Sequence, residues 1–172
     1  MNELITVITC IHNTPVEWAK CAVDSILAQT YDNFEYFVID DGSSEQLARQ
    51  YEDLCRDPRI SYIRLYNNVG PAEARNILKK ARGKFVAIMD SDDYSLPERF
   101  ERQVSYLEQN QDIAVVGTWF SYFGSRTEEV KRYIDEGKTL PWVMGGFPSG
   151  YEPKAAADFQ GYFSGEYTFD QM

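Results

Sequence analysis

Residues 83–93, GKFVAIMDSDD, change from apolar to acidic within a few positions. Phe85–Met89 is a run of strand length without polar alternation, and such strands are usually buried on both faces, as in parallel sheets. The carboxylates of Asp90, Asp92 and Asp93 follow this run directly. We therefore predict a strand that is buried on both faces and that ends in a cluster of negative charge where the sheet meets solvent.

The acidic end of this strand indicates a cation site. Carboxylates this close repel each other and raise each other's pKa unless a positive partner lies among them. Their hard oxygens suit Mg²⁺ or Mn²⁺, particularly when substrate phosphates complete the coordination shell, which predicts a metal–diphosphate site. The alternative is a solvated loop that caps the next helix. However, Ser95 and Glu98 have the spacing of an S-x-x-E capping box, which caps that helix without the aspartates.

Length, charge and cysteine usage restrict the function classes. The 172 residues fit one domain, residues 1–172, that can bury a core. A net charge of −10 argues against nucleic-acid binding, which needs clustered Lys and Arg. The three cysteines lack C-x-x-C spacing and predict neither a disulfide framework nor a zinc site. No run approaches the ~20 apolar residues that cross a bilayer, so we expect a cytoplasmic protein, with peripheral membrane association left open.

Apolar runs alternate with helical patterns along residues 1–120. Helices are predicted from Pro15, with Trp18 in the buried stripe, after Ser44, from Pro71 to Ala81 with Gly83 as C′ residue, and after Ser95. This alternation predicts an α/β fold with a mostly parallel central sheet flanked by helices. Strands are predicted at Leu4–Ile11, Phe34–Ile39, Ile60–Leu65, residues 83–89 and Ile113–Phe120.

The strand exits of such a sheet meet at one edge. Right-handed crossovers bring residues 10–13, 40–43, 67–70 and 90–93 together there. Ligands of open α/β sheets bind outside the carboxyl ends of the strands, so we predict a ligand site at this edge. The first exit lacks the G-x-G-x-x-G of dinucleotide folds, and the chain has no G-x-x-x-x-G-K-[ST] motif, which argues against NAD binding and a P-loop NTPase.

Several side chains at these exits have the chemistry of a nucleotide site. Asp40 or Asp41 could accept hydrogen bonds from a ribose or a base, or form an Asx turn with the glycine that follows. The helix start at Gly70 leaves backbone N–H groups free for an anion. Arg75 could pair with a ligand or act as a plain salt-bridge partner. His12 is the single histidine, and we expect it at the edge of the site rather than as a metal ligand.

Four segments carry a recognisable set of motifs. They are TVITCIHN at residues 6–13 with DSILAQTY at 24–31, FEYFVIDDGS at 34–43, GPAEARN at 70–76, and DSDD at 90–93. In this order and spacing they resemble the motifs of family 2 glycosyltransferases. The resemblance implies a Rossmann-like A-type glycosyltransferase fold and a nucleotide-diphosphate sugar donor, most often a UDP-sugar. It also implies transfer to a hydroxyl acceptor, with inversion of the anomeric centre, in polysaccharide or glycoconjugate synthesis.

The resemblance also implies roles for individual residues. By that analogy, Cys10 and His12 border the base pocket, and Asp40 contacts the uracil. Asp90 lies at the ribose and is a second candidate metal ligand, whereas Asp92 ligates the divalent metal, Mn²⁺ or Mg²⁺, that catalysis requires. Neighbouring residues complete the predicted nucleotide-sugar-binding set: Asn13, Asp41, Gly70, Arg75 and Ser91.

The catalytic base is where the sequence departs from the family pattern. A carboxylate must deprotonate the attacking hydroxyl, and the family usually presents an acidic pair after a Gly-Gly-aromatic segment. Here Gly145-Gly146-Phe147 precedes a single acid, Asp158, which is the candidate base, while Glu152, Glu166 and Asp170 stay open. We therefore divide the predicted domain into a nucleotide-sugar-binding half, residues 1–120, and a partial acceptor-side region, residues 121–172, that could be truncated.

Three other protein classes are alternatives to a metal-dependent inverting glycosyltransferase. A haloacid-dehalogenase-type phosphatase places its D-x-D early in the chain, followed by Thr or Val, whereas here Tyr94 follows Asp93 late in the sheet. A nucleotidyltransferase that forms sugar nucleotides needs a Gly-rich basic first loop, which is missing. A non-catalytic or degenerate sugar-nucleotide-binding module is the remaining alternative, favoured by the missing acidic pair and disfavoured by the intact Asp90 and Asp92.

Overall fold

A computed structural model describes residues 3–118 of the chain. The chain divides into two units between Val104 and Ser105. The sheet and the predicted ligand edge belong to the first unit, and Asp158 lies outside the described residues, as do the other candidate bases. Within residues 3–118, no helix combines the length and the apolar character that a membrane crossing needs.

The first unit contains a four-stranded sheet in which all neighbouring strands are parallel. The strand order is β3-β2-β1-β4. The predicted α/β architecture with a parallel sheet and flanking helices is therefore confirmed. The elements are β1 (Ile5–Ile11), α1 (Val16–Leu27), β2 (Phe34–Asp41), α2 (Glu45–Leu54), β3 (Ile60–Leu65), α3 (Pro71–Ala74), a 3₁₀ helix (Arg75–Lys80), β4 (Phe85–Ile88) and α4 (Arg99–Gln109).

The strand order reverses at β1. The chain builds outward from β1 through β2 to β3 and then returns to the other side of β1 with β4. In register, Ile8 pairs with Ile88, so the exits of β1 and β4 are neighbours. Such a reversal opens a crevice at the carboxyl ends of the two strands, which is the usual ligand position in open α/β sheets.

Apolar side chains cover the two faces of the sheet with different helices. On one face, Val7, Tyr36 and Val38 belong to a buried cluster that also contains residues of α1, α2 and α4. On the other face, a smaller cluster is formed by Ile8, Phe37, Ile39 and Ala74, against which the apolar side chains of the 3₁₀ helix pack. The alternation of strand side chains thus supplies both clusters.

The strand β4 is buried on one face only, so the expectation of burial on both faces is wrong. Ala87 and Met89 are buried, but Val86 and Ile88 are 49% and 38% exposed. The reason is the position of β4 at the end of the strand order within the described sheet. The 3₁₀ helix that packs on this face contacts the cluster around Ile8, and β4 contributes no residue to that cluster.

The helix that we predicted from Pro71 to Ala81 also differs from the prediction. It is α-helical only to Ala74 and continues in 3₁₀ turns to Lys80. Gly83 does not adopt the positive φ that a C′ glycine uses. A Cβ atom at Gly83 would instead lie 2.4 Å from the backbone nitrogen of Thr6. The glycine is therefore required for the close approach of the chain to β1 before β4 begins.

Two further predictions misjudged which apolar residues are buried. Trp18 is 56% exposed, because the buried stripe of α1 runs through Ala19, Ala22, Val23 and Ile26. The strand predicted at Ile113–Phe120 is also wrong for its described residues 113–118. They contain one isolated bridge residue, Val115, which is 51% exposed, so this apolar run has no buried face to stabilise a strand.

A buried glutamine, Gln29, supplies the cap that the predicted Ser95–Glu98 box does not. The Gln29 Oε1 atom accepts a hydrogen bond from the N–H of Phe100, at the start of α4, at 3.1 Å. Its amide nitrogen donates to Ser95 Oγ at 3.1 Å and to the Leu96 carbonyl at 2.8 Å. Because Ser95 Oγ is engaged by Gln29 and Glu98 pairs with Arg102, the predicted capping box is wrong.

We expect Gln29→Ala to lower the free energy of unfolding by about 2–3 kcal/mol, because it removes the buried partner of the Ser95 hydroxyl and of the Phe100 N–H. Urea denaturation measures this loss. The matched control is Gln50→Ala on the exposed side of α2, which should change stability by less than about 0.5 kcal/mol. Equal losses in the two variants would contradict the role of Gln29.

A second polar cluster joins the start of β2 to the segment before β4. The Glu35 carboxylate accepts hydrogen bonds from Thr6 Oγ1 at 2.7 Å and from the Arg82 N–H at 2.8 Å, and it pairs with the Arg82 guanidinium at 2.7 Å. Burial raises the pKa of Glu35, but the hydrogen bonds and the Arg82 charge outweigh it, so the net pKa is lowered. The cluster therefore stabilises the fold only while Glu35 is ionised.

Because the pKa of Glu35 is lower in the folded state, its contribution is complete above the ordinary value of 4.5 and is lost as the pH falls through the lowered pKa. We expect Glu35→Gln to cost about 1–2 kcal/mol of stability at about pH 7. The difference from the native chain should shrink towards about pH 3. Urea denaturation at both pH values tests this, with Glu52→Gln as the exposed control; a loss independent of pH would refute it.

Candidate active site

Hydrogen bonds connect all four strand exits at the carboxyl edge of the sheet. The exits of β1 and β2 are joined by three contacts. His12 Nδ1 donates to the Asp41 carbonyl at 2.8 Å, the Asn13 N–H donates to Ser43 Oγ at 2.9 Å, and the Ser44 N–H donates to Asn13 Oδ1 at 3.0 Å. Asn13 adopts a φ of +50°, which asparagine tolerates better than most residues.

The carboxylate of Asp41 joins the exit of β2 to that of β3. Asp41 is 3% exposed, and its two oxygens accept hydrogen bonds from the N–H groups of Val69 at 2.8 Å and Gly70 at 2.9 Å. Gly42, directly after Asp41, has a φ of +70°. A Cβ atom on this glycine would lie 2.5 Å from the backbone of Asn67 and Asn68. The two exits are therefore in backbone contact, with a buried charge at the junction.

Asp40 points into the protein rather than towards this edge. It is fully buried, its Oδ1 accepts from the Ser43 N–H at 2.9 Å, and its Oδ2 accepts from the Tyr62 hydroxyl at 2.9 Å. The Arg64 guanidinium lies 3.7 Å from the same oxygen. Burial and the hydrogen bond to Asp40 raise the pKa of Tyr62, which keeps that hydroxyl protonated as a donor. These contacts give Asp40 an internal, turn-closing role in this structure.

The exit of β4 contacts both the 3₁₀ helix and the segment that follows β1. Arg75, the first residue of the 3₁₀ helix, lies 3.4 Å from Asp90 Oδ1, and the Asp90 side chain is still 64% exposed. On the other side, Ser91 Oγ forms a 2.8 Å hydrogen bond with Thr14 Oγ1, just before α1. The predicted placement of Asp90 at the common edge of the sheet thus agrees with the geometry, and its carboxylate is accessible.

Several charges act on Cys10 in the middle of this edge. Burial raises the pKa of the half-buried Cys10 thiol, the charge of Arg75 lowers it, and the charges of Asp41 and Asp90 raise it. The net pKa is raised, so the thiol stays protonated and is no nucleophile. The charges of Arg75, Asp41 and Asp90 thus all act on this one thiol.

The aspartates after β4 repel one another. Partial burial raises the pKa of Asp93, and the charges of Asp90 and Asp92 raise it further, while Arg99 lowers it. Asp92 is exposed. Within residues 3–118, no group of three or more His, Cys, Asp or Glu side chains could hold a metal ion by itself. A cation at this exit would therefore need oxygens from a ligand in addition to the carboxylates.

This arrangement of a parallel sheet, a reversed strand order and an acidic exit can be compared with known proteins. Residues 6–164 match the family described as Glycosyl transferase family 2. The chain belongs to that family. The predicted family and the predicted fold are thereby confirmed.

Relatives and solved structures agree with this family 2 assignment. The chain is 31% identical over 138 residues to an uncharacterised glycosyltransferase, MJ1057, of Methanocaldococcus jannaschii, with 77% of this chain and 47% of that protein covered. It is 40% identical over 143 residues to an uncharacterised glycosyltransferase, RC0461, of Rickettsia conorii, with 81% and 23% covered. The crystal structure of S. aureus TarS 1–349 in complex with UDP-GlcNAc is similar with a TM-score of 0.62 and 26% identity, over 70% of this chain and 35% of that chain.

The family 2 chain thus spans about half or less of the length of the curated relatives it matches. Its described residues include every predicted site residue except Asp158. The structure brings most of them to one edge: Cys10, His12, Asn13, Asp41, Gly70, Arg75, Asp90 and Ser91, with Asp92 on the same exit.

Sequence reasoning missed two residues that organise this family 2 site. Thr14 ties the first exit to Ser91, and Ser43 accepts the Asn13 N–H. The only signal for them was small hydroxyl residues directly after predicted strands, which usually serve local turns. Their cross-strand role depends on the strand order, which the sequence pattern does not contain.

We expect Asp41→Asn to lower the free energy of unfolding by about 2–3 kcal/mol, because an amide replaces one acceptor oxygen with a donor that faces a backbone N–H. Amide hydrogen exchange should accelerate at Val69 and Gly70 before it does so in β1. Asp53→Asn, on the exposed surface of α2, is the control and should be nearly neutral. Unchanged exchange at Val69 and Gly70 would show that Asp41 does not hold this loop.

Proposed function

We propose that the chain is the donor-binding part of a metal-dependent inverting glycosyltransferase that uses a UDP-sugar. The observation that carries the proposal is the accessible acidic exit of β4, placed beside β1 at the strand-order reversal and opposite Arg75. Membership of family 2 supports the reaction class. The similarity to TarS, whose crystal structure contains UDP-GlcNAc, supports a UDP-sugar as the donor.

The nucleotide would bind across the exits of β1, β2 and β3. Asp40 and Asp41 are both buried and hydrogen-bonded within the protein. We assign the base-side role to Asp41, because its hydrogen bonds go to the loop at the exit of β3, whereas those of Asp40 close the turn after β2 and reach Tyr62. His12 and Asn13 would border the same pocket, since both are fixed against the exit of β2. Gly70 and the hydroxyl of Ser91 would lie along its two sides.

The donor set at β4 fits a divalent cation. Asp92 and Asp90 offer exposed carboxylate oxygens, which are the ligands that Mg²⁺ and Mn²⁺ prefer, and a diphosphate would supply the remaining oxygens. When bound, the cation would stabilise the negative charge that grows on the departing diphosphate. Arg75 would hold Asp90 in place through their ion pair and add positive charge beside the phosphates.

The acceptor hydroxyl must lose its proton during transfer, and we propose Asp158 as the base. A carboxylate is suited to this step because it can take a proton from a hydroxyl positioned within hydrogen-bond distance. The same proposal makes the partners a nucleotide-sugar donor and a glycan or glycoconjugate acceptor. Cytoplasmic location and a role in polysaccharide synthesis remain predictions from the sequence.

We expect UDP to bind the native chain more tightly with Mn²⁺ than without it, and Asp92→Asn to remove at least about tenfold of that gain. Isothermal titration calorimetry with UDP, with and without MnCl₂, measures both effects. Asp53→Asn is the control, since it removes one charge far from the strand exits and should bind like the native chain. UDP affinity independent of Mn²⁺ would contradict the metal role, and no UDP binding at all would contradict the proposed function.

A second measurement separates an enzyme from a non-catalytic binding module. Slow release of UDP from UDP-GlcNAc by the native chain, abolished in Asp92→Asn, would support catalysis. Tight binding of UDP without any release from UDP-GlcNAc would favour the module for this donor.

A further inference from the structure

Arg99, the first residue of α4, holds the backbone immediately before the acidic exit. Its Nη2 atom donates to the carbonyl of Ile88, the last residue of β4, at 2.9 Å. The N–H of the same peptide group, on Met89, donates to the Ile8 carbonyl of β1 at 3.0 Å. The peptide between Ile88 and Met89 is therefore held from both sides, and Asp90 is the next residue along the chain.

The guanidinium of Arg99 is itself fixed by its neighbours. Its Nε atom donates to Gln103 Oε1, one turn along α4, at 3.2 Å, and its Nη1 atom lies 3.7 Å from the sulfur of Met89. The central carbon of the guanidinium lies 5.5 Å from the centre of the Phe100 ring, within the range of a cation–π contact. All three nitrogens of this half-buried side chain thus contact neighbouring residues, so the fold rather than solvent defines its position.

Arg99 also places a positive charge beside the acidic exit, on the side of α4. Burial lowers the pKa of Arg99, and the charges of Asp93 and Asp90 offset this only in part. An arginine nevertheless stays protonated in a protein, so its charge always opposes the repulsion among the carboxylates. Glu98, which directly precedes Arg99, pairs with Arg102 instead.

We propose that Arg99 is a positioning residue for the divalent cation. The inference rests on the proposed donor site and adds a residue that touches neither the cation nor the nucleotide. Because residues 3–118 contain no group of three His, Cys, Asp or Glu side chains that could hold a metal ion, a cation here would depend strongly on where the backbone places Asp90 and Asp92. Arg99 acts on that placement through the Ile88 carbonyl and through its charge, whereas Arg75 contacts the Asp90 carboxylate directly.

Calorimetry of UDP with and without MnCl₂ tests this role by comparing Arg99→Met with Arg102→Met. Both substitutions remove an arginine from α4, but Arg102 and its partner Glu98 are exposed and form an i,i+4 pair. We expect Arg99→Met to lose about tenfold or more of the affinity gain that Mn²⁺ gives the native chain, as the loss of outer-shell partners of metal ligands does. Arg102→Met should keep the native gain, and UDP affinity without metal should match that of the native chain in both variants.

Arg99→Lys separates positioning from a contribution to folding alone. A lysine keeps the charge and can donate to the Ile88 carbonyl, so it should restore most of the gain that Arg99→Met loses. The electron paramagnetic resonance spectrum of Mn²⁺ bound with UDP should differ from the native spectrum in Arg99→Met and return towards it in Arg99→Lys. Arg99→Gln is a second neutral variant, for which we expect the same loss as in Arg99→Met.

A native Mn²⁺ gain in Arg99→Met, an equal loss in Arg102→Met or no recovery in Arg99→Lys would overturn the positioning role. A loss of UDP affinity in Arg99→Met that is as large without metal as with it would also overturn the role, as would failure of both neutral variants to fold. Either result would assign Arg99 to the core alone. Absence of any Mn²⁺ gain in the native chain would instead contradict the metal role in the proposed function.

Discussion

The two hydrogen bonds from the backbone of Val69 and Gly70 to the Asp41 carboxylate are the constraint on which the site depends. A buried carboxylate is costly unless its oxygens are hydrogen-bonded, so this charge requires the third strand exit to stay where it is. Gly42 makes that position accessible, because any side chain there would collide with the backbone at Asn67. From Gly70 the chain enters α3 and the 3₁₀ helix, which presents Arg75 to Asp90. The buried Asp41 carboxylate thus influences the position of the exposed Asp90 carboxylate through α3 and the 3₁₀ helix.

The sheet itself explains why the acidic exit is accessible. β4 lies beside β1, on the side opposite β2, and it ends at Ile88. The next residue, Met89, is buried in the cluster that also contains residues of α1, α2 and α4. The carboxylates of Asp90, Asp92 and Asp93 therefore lie at the crevice between the exits of β1 and β4 and are exposed. Partial burial raises the pKa of Asp93, the charges of Asp90 and Asp92 raise it further, and a divalent cation beside these carboxylates would offset their repulsion.

The sequence was sufficient for the architecture and for most of the site, because both follow from local patterns. Apolar runs of strand length alternated with helical patterns, and the rule that parallel strands share an exit edge then placed Cys10, Asp41 and Asp90 together. It was insufficient where the outcome depends on which elements are neighbours. The exposure of Val86 and Ile88, the exposure of Trp18 and the use of Gln29 as a helix cap all depend on strand order or on contacts across many residues.

Gln29 has a consequence for motion at the site. Its amide joins the end of α1, the Ser95–Leu96 backbone and the first turn of α4, so these three parts are expected to open together in hydrogen exchange as one cooperative unit. The stretch between Ser91 and Ser95 is held at its other end by a single hydroxyl pair. Any widening of the crevice, to admit a donor or to let a product leave, would therefore move Asp92 and Asp93 about the fixed Ser95 end of this stretch, while Arg75 keeps Asp90 in its ion pair.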